Sequence, residues 1–184
     1  MFLITDSIER KKWEGTIDSP TIVSAAENLD MLTESQRRLW EFFSTKSAQS
    51  QIIDKKDISP AELVKFLPDI WLCDLIFSDS SLVDIKLRLL GTKIAAALGE
   101  RTGEKIIQEK KNPDSLYHQR FGVYQRAILS AEFIINEKKP VIYYSNHFSD
   151  EIQHYQSIGL VFPVTNKSKT INLMLGNTQL VPVK

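Results

Sequence analysis

Apolar and charged positions alternate between residues 85 and 89: Ile85, Leu87 and Leu89 against Lys86 and Arg88. A period of two places the apolar groups on one face of a strand. Gly91 breaks that strand, and Thr92 offers its hydroxyl as the N-cap of a short helix running to Leu98. Gly99 suits the left-handed residue that ends such a helix, and Thr102-Gly103 makes a second turn. Gly91 stands where the strand must bend sharply into the helix, so a positive φ is expected there. Upstream, residues 70–77 form an apolar strand, and 78–81 is a turn of hairpin length. The strand 82–90 therefore returns antiparallel.

Helical spacing dominates elsewhere. Thr33 and Gln36 read as a capping box, followed by Leu39, Trp40 and Phe43 on one face of a helix ending near residue 50. Ser59, Pro60 and Glu62 predict a second, short helix that Pro68 stops. Residues 104–111 read as helical or irregular up to Asn112-Pro113. The longest helix is expected over 114–130, where Leu116, Arg120, Phe121, Tyr124 and Ile128 recur at three and four. Three strands follow, at 141–145, 155–164 and 170–177, with 166–169 as the last turn. Residues 1–32 lack clear periodicity and read as an extension of a single domain, 33–184. The element order predicts an α+β fold: a five-stranded antiparallel sheet, helices packed on one face and an N-terminal helix.

Parity assigns side chains to the two faces. Trp71, Cys73, Leu75, Phe77, Leu87, Leu89, Ile158, Leu160, Phe162, Ile171, Leu173 and Leu175 are expected to line a cup between sheet and helices. Phe121 and Tyr124 would close it from the helix side. Cys73, Leu75, Leu87, Leu89, Phe121, Tyr124, Ile158, Leu160 and Leu173 are thus the candidates for a ligand pocket. The opposite face carries Asp74, Lys86, Arg88 and Gln156, but also Leu72, Ile76, Ile142 and Met174. A patch this apolar should not stay exposed on a monomer. The helix with Leu39, Trp40 and Phe43 is expected to cover it, within the chain or on a second subunit. Leu39, Trp40, Phe43, Asp74 and Arg88 are the interface candidates.

The run Arg88-Leu-Leu-Gly-Thr92, then Leu98-Gly99 and Thr102-Gly103, resembles the R-x-x-G-T…G…T-G signature of a bacterial group of PAS-domain proteins. Asp57-Ile-Ser-Pro60, Leu67-Pro68, Leu72-Cys-Asp74, Pro140 and Leu160-Val-Phe-Pro163 extend the resemblance over most of the chain. It implies strand order 2-1-5-4-3 and a sensory module that acts on a signalling protein partner. A small apolar ligand in the cup and a homodimer are compatible with it. Some PAS domains bind haem through a helix histidine, but His118 sits in no matching motif.

Composition narrows the function classes. Of 184 residues, 42% are hydrophobic and 25% charged, which suffices for one domain with a core. Lys+Arg and Asp+Glu both number 23, so the basic excess of a nucleic-acid binder is missing. No apolar run approaches the ~18 residues of a membrane span, and none marks a leader, so the expected compartment is the cytoplasm. Cys73 is the lone cysteine and reads as a buried small hydrophobe. His147 and His154 flank Asp150 and Glu151, but the spacing fits no metal motif. Asp74 and Arg88 form an ion pair if the hairpin is regular. No nucleophile-elbow, phosphate-loop or zinc-protease pattern occurs, and no cofactor is required. The expected protein is not an enzyme. The alternatives are a small enzyme on a similar scaffold and a ligand-free adaptor.

Overall fold

The computed structural model describes residues 21–47, 51–110, 121–147, 155–166 and 170–182. The elements are β1 (Thr21–Ser24), α1 (Glu34–Lys46), β2 (Ile53–Asp54), β3 (Ile70–Ser78) and β4 (Ser81–Leu90). They continue with α2 (Thr92–Leu98), α3 (Ile106–Lys110), α4 (Phe121–Glu137), β5 (Val141–His147), β6 (Tyr155–Thr165) and β7 (Ile171–Pro182). The fold is mixed α+β. One sheet runs β1-β5-β6-β7-β3-β4, antiparallel throughout, with β2 added parallel to the end of β6. Taking β3 to β7 as first to fifth, the order is 2-1-5-4-3, as expected. The β3–β4 hairpin turns through Asp79 (φ 49°) and Ser80 (φ 67°), the two left-handed residues of a tight hairpin loop.

Among the described residues, seven strands replace the expected five. Residues 21–32, read as part of an extension, supply β1 and a 3-10 turn at Leu29–Met31. The β-branched run Thr21-Ile22-Val23 pairs with Tyr144, Tyr143 and Ile142 of β5, which the weak periodicity of so short a strand concealed. The helix expected from Ser59 is absent: residues 59–66 form turns, then a 3-10 turn at Leu67–Asp69. Helix α1 stops at Lys46 rather than near residue 50. Helix α4 runs past the expected end at residue 130, because Phe133 and Ile134 keep its apolar face going. Lys138, at φ 56°, and Pro140 end it. The expected start of that helix, and the side chains of Phe121 and Tyr124, lie outside the described residues.

Both faces of the sheet are covered, so the core has two layers. The outer layer lies under α1 and contains Leu39, Phe43, Ile142, Tyr144, Ile158, Leu160, Phe162, Leu173 and Leu175. The inner layer lies under α2, α3 and α4 and contains Trp71, Cys73, Leu75, Ile85, Leu87, Val141, Tyr143, Val161 and Met174. The expected faces of β6 and much of β7 are therefore corrected. Ile158, Leu160, Phe162, Leu173 and Leu175 point to the outer layer, and Met174 points inward. Pairing of Cys73 with Met174, and of Leu72 with Leu175, sets this parity. Strands buried on both sides read as continuous apolar runs and carry no alternation to interpret. Leu89 is also corrected. A register shift between Leu72 and Cys73 pairs Leu89 with Leu72 on the outer face, where it is 40% exposed.

Gly91 departs from its expected conformation. Its φ is −64° and ψ 151°, ordinary extended backbone, and it rather than Thr92 is the N-cap of α2. Its glycine is required by space: a Cβ there would overlap the backbone carbonyls of Leu67 and Pro68. Gly99 and Gly103 do take positive φ, 82° and 96°.

Candidate functional site

Two of the inner strands carry glycine where a neighbour carries an aromatic ring. Gly159 of β6 stands opposite Tyr143 of β5, and Gly176 of β7 opposite Trp71 of β3. A Cβ at either glycine would overlap the facing ring, so Tyr143 and Trp71 lie flat on bare backbone. Their polar tips then meet. The Trp71 indole Nε1 donates to Thr178 Oγ1 at 2.9 Å, and the Tyr143 and Thr178 hydroxyls bond to each other. An aromatic body with a satisfied polar tip is how such residues are buried at low cost.

A second polar chain crosses the same layer. Arg126 of α4 is 4% exposed, and its Nη1 donates to Ser145 Oγ of β5 at 2.7 Å. Ser145 Oγ lies 3.0 Å from Ser157 Oγ of β6, and both serines are fully buried. The Arg126 guanidinium also lies over the Tyr143 ring, 5.5 Å from its centroid, which joins the two chains. Burial pulls the Arg126 guanidinium below its ordinary value. A guanidinium is not deprotonated in proteins, so Arg126 brings a positive charge to this layer. Burial pushes the Tyr143 hydroxyl up, and Arg126 only partly opposes this.

Cys73 lies on the inner face beside this network, fully buried. Burial, with Asp74 beside it, pushes its thiol far above the ordinary range, so it is not a thiolate near neutrality. Leu75 and Leu87 share its layer. Ile158, Leu160 and Leu173 are across the sheet, and Leu89 is at the outer surface.

The other sequence-derived candidates gather on the outer face. Leu39 and Phe43 are buried against the sheet, and Trp40 stacks on Phe162 with ring centroids 5.9 Å apart. The chain's own helix therefore covers this face. Gln36 anchors it: its Oε1 accepts from Thr33 N, while its Nε2 donates to the carbonyls of Ile158 (2.9 Å) and Asn177 (3.2 Å). Asp74 and Arg88 form the expected ion pair, Oδ2 to Nε at 3.1 Å, at the open β3–β4 end. His118 and His154 lie outside the described residues, as does the side chain of His147.

Arg126, Tyr143, Ser145, Ser157 and Thr178 were not singled out by sequence. The signal for Arg126 was a charged residue at helical spacing from Ser130, Phe133 and Ile134, the buried face of α4. Glycines inside β6 and β7 signalled close approach by another group.

Among the described residues, no helix is long and apolar enough to cross a membrane. No protein-family model matches the chain, and neither does any curated protein. Among solved structures, the chain is similar to an RNA-binding light-oxygen-voltage receptor, with 16% identity and a TM-score of 0.38. That match covers 67% of this chain and 33% of the receptor's.

Proposed function

We propose that this chain is a non-catalytic sensory module of PAS type, which holds a small molecule in its inner layer and signals through contact with a protein partner. The observation that carries the reading is the pairing of a 2-1-5-4-3 sheet with a buried polar network enclosed by apolar walls. Such a network is the usual orienting element of a small-molecule site. Contact with a signalling partner, or with a second copy, fits the β3–β4 end of the outer face. There Leu89 is exposed beside the Asp74–Arg88 pair, beyond the cover of α1. A cytoplasmic location fits the lone buried thiol.

The test is the mass of the purified protein under native and denaturing conditions. A native excess of a few hundred daltons is expected. Equal masses across preparations would favour the ligand-free adaptor instead, and the native spectrum reports the oligomeric state.

A further inference from the structure

On β3 and β4 the outer face continues past α1, and there its charged residues form a row. Asp74 of β3 pairs directly with Lys86 of β4, and Lys86 pairs in turn with Lys105, in the turn between α2 and α3. Directly paired residues of an antiparallel sheet project from the same face. The three side chains therefore stand side by side at the strand spacing of about 4.8 Å. Apolar groups flank the row. Ile76 lies two residues along β3 on one side, and Leu72 with its partner Leu89 lies on the other. Leu72 and Ile76 are half-buried, and Leu89 is exposed.

The charges of this row are unequal. Arg88 already occupies the Asp74 carboxylate, at 3.1 Å. Asp84, the next acidic residue along β4, is buried and turned to main chain: its Oδ1 accepts from Ile85 N (2.8 Å) and Ile107 N (3.0 Å). Lys86 and Lys105 are both exposed, and neither forms an ion pair with a carboxylate among the described residues. Like charges set directly opposite each other across a ladder repel. Two such cations between apolar residues are complementary to carboxylates set among apolar side chains.

The edge of β4 decides how a partner approaches. Leu87 N donates to Glu104 O and Leu87 O accepts from Gly103 N, so that main chain is already paired. Ile85 N is taken by Asp84. An incoming strand would find these groups occupied, so the partner lies across the face and is held by side chains. A phosphate backbone would meet the Asp74 carboxylate and the apolar flanks unmatched, which favours a peptide over a nucleic acid.

We infer that the signalling partner presents an acidic amphipathic segment, whose carboxylates pair with Lys86 and Lys105 and whose apolar side chains rest on Leu72, Ile76 and Leu89. This rests on the reading of the β3–β4 end of the outer face as the partner's contact, and adds the chemistry that recognises it.

The experiment selects peptides from a random phage library on the immobilised full chain, then measures their affinity by fluorescence anisotropy. Enriched peptides are expected to combine Asp or Glu with large apolar residues, and to bind more weakly as salt is raised. Lys86→Gln with Lys105→Gln should weaken them about three- to tenfold, the value of two exposed ion pairs. That double variant removes a repulsion at the surface, so it should melt no lower than the wild type. Leu89→Ser should weaken the same peptides several-fold. Peptides that depend on Leu89 but carry no acidic excess would overturn the acidic class and leave the contact face standing. Polyuridylate that binds tighter than any selected peptide, and is lost in the lysine variant, would make the partner a nucleic acid and overturn the inference. A dimer by light scattering that the lysine variant dissociates would make the occupant a second copy, with the same consequence. If no peptide is enriched, or if neither variant changes binding, the contact face itself is refuted.

Discussion

At the scale of single residues, small groups decide what can be built. Gly91 shows how the same residue type can be required for different reasons. Its backbone angles suit any residue, yet a side chain there would meet two carbonyls of the 67–68 turn. Gly91→Val should therefore destabilise the fold by well over the ~1 kcal/mol of an average substitution. A denaturant melt checks this, and a wild-type midpoint would refute the steric argument. Cys73 gives a second expectation. Its thiol is enclosed and held protonated, so it should resist alkylation in the native protein and react only on unfolding. The raised values of Cys73 and Tyr143 also set a pH dependence. On raising the pH, the unfolded chain loses these protons first, near the ordinary thiol and phenol values of about 8.5 and 10. The unfolded state then binds fewer protons than the native one, so stability falls with rising pH. Melting temperatures should decline above about pH 9, and Tyr143→Phe should flatten the decline above about pH 10.

At the scale of elements, local signals were legible where one face met water. The hairpin β3–β4, the capping box of α1 and the turn at Gly99 and Gly103 were readable because alternation, caps and turn residues are local chemistry. The faces of β6 and β7 were not. Their residues are buried on both sides, and the larger apolar side chains face α1, while Gly159 and Gly176 make room for inner aromatic rings. The Arg126 network was hidden for a related reason: its members meet only after α4 folds over β5 and β6. Gln36 shows local and tertiary roles in one side chain. Thr33→Ala removes the cap alone and should cost about 1 kcal/mol. Gln36→Leu removes the cap partner and also the two hydrogen bonds to buried strand carbonyls, so it should cost about 1–3 kcal/mol beyond that. Chemical denaturation of the two variants checks the order, and equal losses would show that the contacts to Ile158 and Asn177 contribute nothing.

At the scale of the whole molecule, the sheet separates two layers with different chemistry. The outer layer is almost wholly apolar and is sealed by α1, through Leu39, Phe43 and the Trp40–Phe162 stack. Leu39→Glu with Phe43→Glu should break that seal. Light scattering should then report self-association, and a monodisperse protein with an unchanged melting temperature would argue against it. The inner layer is where polar groups are concentrated and where a molecule would be sensed. Amide hydrogen exchange tests that division most directly, comparing the protein as purified with the same protein stripped by unfolding and refolding. The expected result is faster exchange after stripping in α4, β5 and β6, with α1 unchanged. Superimposable exchange in the two samples, or a difference confined to α1, would contradict the account.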